Sequence, residues 1–251
     1  MSRFILAVLA VLLAASAAWA EPTEIVVHVR GQGSKFIGTS MAGARVILEN
    51  ADTGAILAQG VTKGSTGDTD RIMTDKRDAS AVIVTPETAR FAATLDLDEP
   101  TRIRVRTAGP LAQPQTGNEA TTTRWVVPGK HVRNGNAWLI ELPGLTVDVL
   151  EPRAASRAPA GPVSISANVV MNCGCPVTPG GLWDADVFEV AARIAKDGAY
   201  WKTVPLAYGG EPSLFTGEFR PGEPGVYSIT VYAYDPRDGN TGIDRTTVTV
   251  K

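Results

Sequence analysis

The chain has 251 residues, with 24 Lys and Arg against 26 Asp and Glu, for a formal net charge of −2. So even a balance leaves no concentrated basic surface of the kind nucleic acid or an anionic membrane needs as its main partner. The 25 Gly, 17 Pro and low aromatic content suit many short strands joined by turns, in one or two domains.

The first 20 residues read as a cleaved signal peptide: Arg3 supplies the positive start, residues 4–18 are apolar, and Ala18-Trp19-Ala20 is a small-x-small cleavage site ahead of Glu21. An apolar run of 15 residues with no stop-transfer pattern after it is too short to span a bilayer. No cysteine follows the cleavage site to carry a lipid. The expected mature chain is Glu21–Lys251, with 23 basic and 26 acidic residues and a net charge of −3. It is expected to be periplasmic or secreted, with no membrane insertion after cleavage.

Beyond the leader, helical periodicity is nearly absent. Short β-branched runs separated by Gly, Pro, Asn and Asp predict an all-β protein. In the first half, strands are expected over 24–30, 43–49, 55–61, 80–84, 89–95, 101–107, 122–127 and 137–142. In "EIVVHVR", Ile25, Val27 and Val29 alternate with Val26, His28 and Arg30, which predicts one buried face and a solvent-facing His28. The stretch "GARVILENADTGAILAQGVTKGSTGDT" (43–69) has a strand, an Asp-Thr-Gly turn, a second strand and a Gly-rich turn. It resembles the transthyretin-like or carboxypeptidase-regulatory-like sandwiches of exported bacterial proteins.

In the second half, strands over 145–150, 163–171, 187–195, 201–207, 213–219, 226–234 and 244–250 make seven. "EPGVYSITVYAYD" (223–235) puts Tyr227 where an immunoglobulin-type sixth strand carries its tyrosine corner, and Ile229 where antibody domains have a core cysteine. Tyr227, Ile229, Val231 and Ala233 form one inward row, and Val163, Ile165, Ala167 and Val169 the other. With the closing "GNTGIDRTTVTV", this half resembles bacterial immunoglobulin-like domains in which aliphatic packing replaces the intersheet disulfide. That resemblance implies a fold and no particular activity. The expected organisation is two tandem β-sandwich domains, 21–144 and 145–251, meeting stiffly at Pro143-Gly144. "EPRAASRAPAG" (151–161) is expected to be an internal loop.

The inventory argues against an enzyme. His28 and His131 are the two histidines, on separate elements and far from any nucleophile motif. "GQGSKF" (31–36) has Phe36 where a dinucleotide loop needs its third glycine, and "GSTGDT" (64–69) lacks the Lys-Ser/Thr of a phosphate loop. Asp96 and Asp98 read as a solvated strand end. Lys130, His131 and Arg133 read as a solvated turn.

Both cysteines lie in "VVMNCGCPVTPGG" (169–181), as Cys173 and Cys175. Three readings stand open: a disulfide that tightens the loop, a thiolate pair gripping a soft ion such as copper, and an exchangeable redox pair. A copper ion is therefore the one cofactor the residues suggest. Met171 continues the inward row and reads as core rather than as a ligand. Asp184, Asp186, Asp235, Asp238, Asn240 and Asp244 match no calcium-loop spacing and suit turn geometry. In an immunoglobulin sandwich, loop 172–186, with Trp183, and loop 235–243, with Asp235, Asp238 and Asn240, lie at one end, beside the start of the first strand at Leu145.

The reading that follows is an exported, non-catalytic binding or accessory protein whose functional end is the cysteine loop near the domain junction. Its expected partner is another envelope or secreted protein. A copper-handling or thiol–disulfide redox protein is the chief alternative, and a structural or adhesive envelope module the third.

Overall fold

The computed structural model describes residues 20–74 and 81–251. All of the expected leader except Ala20 lies outside them. The N-terminal half holds β1 (Glu21–Gly31), β2 (Arg45–Asn50), β3 (Ile56–Val61), β4 (Phe91–Leu97), β5 (Thr101–Gly109), β6 (Asn118–Val126) and β7 (Trp138–Leu142). They form a three-stranded sheet, β4-β1-β7, and a four-stranded sheet, β3-β2-β5-β6. Alternation decides which side chains meet between them: Ile25, Val27, Val29, Ile140 and Leu142 from one sheet pack with Val46, Leu48, Ile103 and Val105 from the other.

Two expectations fail in this half. Residues 81–84 form no strand. His28 does not face solvent but is 4% exposed. The physical reason is a second covering layer. The excursion between β3 and β4 brings Ile72, Ile83 and Ala89 against Phe36 of the β1–β2 connection as a small cluster, with Leu139, the register partner of His28, packed against it. The outer face of β1 is thereby buried as well, and His28 lies edge-on to Phe36 at 5.7 Å between ring centroids.

The C-terminal half holds β8 (Leu145–Glu151), β9 (Ser156–Ala158), β10 (Val163–Met171), β11 (Glu189–Lys196), β12 (Ala199–Pro205), β13 (Ala207–Tyr208), β14 (Leu214–Phe219), β15 (Gly225–Tyr234) and β16 (Thr241–Val250). Their sheets are β13-β14-β10-β8 and β12-β11-β15-β16-β9. The two inward rows read from sequence are buried and meet in one core, which includes Met171 at 2% exposure. Tyr227 forms the tyrosine corner: its hydroxyl donates to the Glu223 carbonyl at 2.8 Å, and its ring packs against Phe219 and Trp201.

One part of the expected internal loop 151–161 is a strand instead. β9 pairs in parallel with β16, Val248 to Ser156 through Val250 to Ala158, so the chain leaves β8 in one sheet and joins the other. With strands distributed in this way over two facing sheets, the C-terminal half is an immunoglobulin-like sandwich.

Candidate functional site

β7 ends at Leu142 and β8 begins at Leu145, leaving Pro143 and Gly144 as the whole connection. β8 pairs antiparallel with β10, Leu145 opposite Met171, so the loop that follows β10 starts beside the point where the halves join. This loop carries Cys173 and Cys175.

The loop turns at Gly174, whose φ of +77° is a left-handed conformation that glycine adopts without strain. The Gly174 amide donates to the Met171 carbonyl at 2.7 Å, and the Met171 amide to the Cys175 carbonyl at 3.1 Å. The bend brings the cysteine Cα atoms to 5.4 Å, and the two sulfurs are paired at disulfide distance. Cys173 is 1% exposed and Cys175 8%. Over Gly174 lies Met41, from a short helical turn of the N-terminal half: a Cβ on Gly174 would sit 2.8 Å from its sulfur.

Polar groups from both halves close the same end. Trp183 Nε1 donates to the Gly33 carbonyl at 2.9 Å, and Asn240 Nδ2 to the Gln32 carbonyl at 3.2 Å. The Gly144 amide donates to Asn240 Oδ1. Asn172, fully buried between Met171 and Cys173, donates to the Pro143 carbonyl at 3.1 Å and accepts from Thr146 Oγ1 at the same distance. Thr116 Oγ1 and Gln115 Nε2 donate to the carbonyls of Leu145 and Val147, at 2.6 and 3.1 Å. These bonds pair buried donors with acceptors across the junction, while the Ser34 hydroxyl, buried beside Gly33, has no hydrogen-bond partner among the described residues.

Of the residues singled out from sequence, Trp183 and Asn240 bridge the halves directly. Asp238 reaches Gln32 Nε2 at 3.5 Å and caps the Asn240 amide at 2.9 Å. Asp235 is bound by Arg237 through two side-chain bonds of 2.9 and 2.7 Å, which hold its carboxyl below the usual range. Asp184 accepts the amides of Gly180 and Asp186, and Asp244 accepts the Val149 amide. These acidic groups serve turns and strand edges. Among the described residues no three His, Cys, Asp or Glu side chains cluster as a metal site. Sequence reasoning missed Met41, Gln32 and Gly33 because they belong to an unrelated stretch of chain. Asn172 could have been found, since a polar residue inside an apolar strand end calls for buried partners.

No family model matches the chain, and no curated protein matches it. Among solved structures, the fibronectin(III)-like modules of Clostridium thermocellum CbhA are 12% identical, covering 91% of this chain and 86% of that one, with a TM-score of 0.29. The Dpr2 Ig1–Ig2 pair, solved in complex with DIP-Theta Ig1–Ig3, is 10% identical over 92% of this chain and 99% of its own, TM-score 0.29. A Cellulomonas fimi endo-beta-1,4-mannanase double mutant is 20% identical over 47% of this chain, TM-score 0.28, and the chain spans 22% of that enzyme's length. Likenesses this distant add nothing to the strand order, on which the description as immunoglobulin-like rests.

Proposed function

We propose that the chain is an exported, non-catalytic binding or accessory protein of two β-sandwich domains, 21–144 and 145–251, acting in the periplasm or outside the cell on another envelope or secreted protein. The observation that supports this reading most is the cover of Met41 over Gly174. The loops at the end of an immunoglobulin sandwich are its usual recognition surface. Here they are turned inward and hold the second sandwich against the first. Two sandwiches fastened in this way present their outer faces at a fixed angle, which suits a docking module and lowers the entropy lost on binding.

In this reading Cys173 and Cys175 form a structural staple. Copper binding or thiol exchange would require sulfur that solvent, a metal or a partner thiol can reach, and burial of both side chains weighs against it. The test is twofold. N-terminal sequencing of protein recovered from the envelope or medium should begin at Glu21. Amide relaxation of that protein should give one rotational correlation time for both halves. Separate times for the halves would remove the reading.

A further inference from the structure

The outer face of the five-stranded sheet carries a second constellation, remote from the junction and independent of how the junction is read. In β11, β15 and β16, Ile194, Ile229 and Thr246 point into the core. Their sequence neighbours Arg193, Thr230 and Arg245 therefore point outward. Register makes these three a single row: Arg193 is opposite Thr230, and Thr230 is opposite Arg245. Adjacent strands lie about 4.8 Å apart, so the two arginine Cα atoms straddle the threonine at about 10 Å. The next row along the strands is Ala195, Ser228 and Thr247.

Small side chains in that second row leave the surface concave. One hollow of about 230 Å³ is lined by Arg193, Ala195, Gly198 and Tyr200, and another of about 230 Å³ by Ala154, Arg245 and Thr247. Ser228 and Thr230 line both, so the hollows adjoin as one shallow groove. Tyr200 stands at one end, 59% exposed, with the Arg193 guanidinium 4.7 Å from its ring centroid.

The charge on this face is unbalanced. Neither the Arg193 nor the Arg245 guanidinium has a carboxylate partner among the described residues. The acidic side chain that shares the outward face of these three strands is Glu189, at the far end of β11, where it accepts the Tyr232 hydroxyl. The arginines of β5 differ: Arg102 is paired with Asp52, and Arg104 and Arg106 share Glu49. On a protein with a net negative charge, two uncompensated guanidiniums flanking a floor of hydroxyls form a local site for oxyanions.

We propose that this groove binds an acidic saccharide, with Arg193 and Arg245 taking the carboxylates of a uronate chain and Ser228, Thr230 and Thr247 bonding its ring hydroxyls. The place of the groove in the sheet favours a saccharide over an acidic peptide. The floor of the groove, Ser228 and Thr230, belongs to β15, which is paired with β11 on one side and β16 on the other, so a peptide laid across this face finds no free backbone edge there to extend. What the groove offers is side-chain hydroxyls, fork-shaped cations and the exposed ring of Tyr200. A sugar acid carries the matching groups on its own ring and an apolar C–H face to set against the aromatic.

Calorimetry on the mature chain at low salt tests this, with hexagalacturonate as probe and neutral hexagalactose, hexaglutamate and sulfate as comparators. Hexagalacturonate should bind and hexagalactose should not. Arg193→Gln and Arg245→Gln should each weaken binding about tenfold, and the double variant should abolish it, at an unchanged urea midpoint. Arg102→Gln, on the other half, should bind as the parent does. The proposal is overturned if hexagalacturonate fails to bind, if the double variant still binds it, or if hexaglutamate or sulfate alone binds as tightly.

Discussion

Met41 lies directly over Gly174, the residue between the two cysteines, so the bend that brings the sulfurs together in the C-terminal half is covered by a side chain of the N-terminal half. The contact answers why two thiols stand so close in a loop and not across the core. They shape the surface on which the first half rests.

Gly174→Ala should therefore be costly in two ways. A left-handed φ of +77° strains any residue with a Cβ, and the added methyl would displace the Met41 thioether. A loss of about 1–3 kcal/mol is expected. Combined with Met41→Ala, the loss should be smaller than the sum of the two, because the methyl then has room. Urea melts of the four proteins in that cycle check it, and strict additivity would mean that the contact does not form.

The reduced thiols should be slow to alkylate. Cys173 and Cys175 are 1% and 8% exposed beneath Met41, so reaction requires local opening. Iodoacetamide labelling of reduced native protein should be several-fold faster in Met41→Ala, in proportion to the opening equilibrium. Equal rates in the two proteins would show that the loop opens without parting from the first half.

Tyr227→Phe keeps the ring packed against Phe219 and Trp201 and deletes the bond to the Glu223 carbonyl. A destabilisation of about 1 kcal/mol is expected, with no change in the slope of the urea transition. An unchanged midpoint would mean that the corner bond adds no net stability.

His28 should make stability depend on pH. Burial holds its imidazole below the ordinary value, with Arg90 acting in the same direction and the bond to the Ala89 carbonyl opposing them. The carbonyl is an acceptor, so Nδ1 carries the proton of a neutral ring, at 2.8 Å. Glu24, Arg90 and Arg133 line the hollow beside it. In the unfolded chain His28 takes up a proton near pH 6.5, while in the fold it resists until the pH is lower. The stability it contributes is fully present above about pH 6.5 and is lost as pH falls through its lowered folded value. His28→Gln retains a donor for Ala89 without this titration, so its melting temperature should fall less between pH 7 and pH 5 than the parent's. Parallel curves would show that His28 titrates alike in both states.

Composition and period-2 alternation were enough to predict an all-β chain, the two inward rows of the second half and Tyr227 at its corner. These depend on neighbours two residues apart and on turn residues between strands, and both are visible in one dimension. The cysteine loop was equally plain as a chemical oddity, and Leu145 at its side followed from antiparallel order. His28 could not be placed from the sequence, because most of the layer that buries it, Ile72, Ile83 and Ala89, comes from the distant excursion between β3 and β4 and closes over it together with Phe36. β9 escaped notice because a three-residue strand is defined by its partner, β16, and not by its own pattern. The same holds for Met41 over Gly174 and for Arg193, Thr230 and Arg245 in one row. Nothing in the spacing of those residues marks them as neighbours. Strand register and the packing of one half on the other bring them together, because pairing partners in a sheet are chosen by the fold of the whole chain.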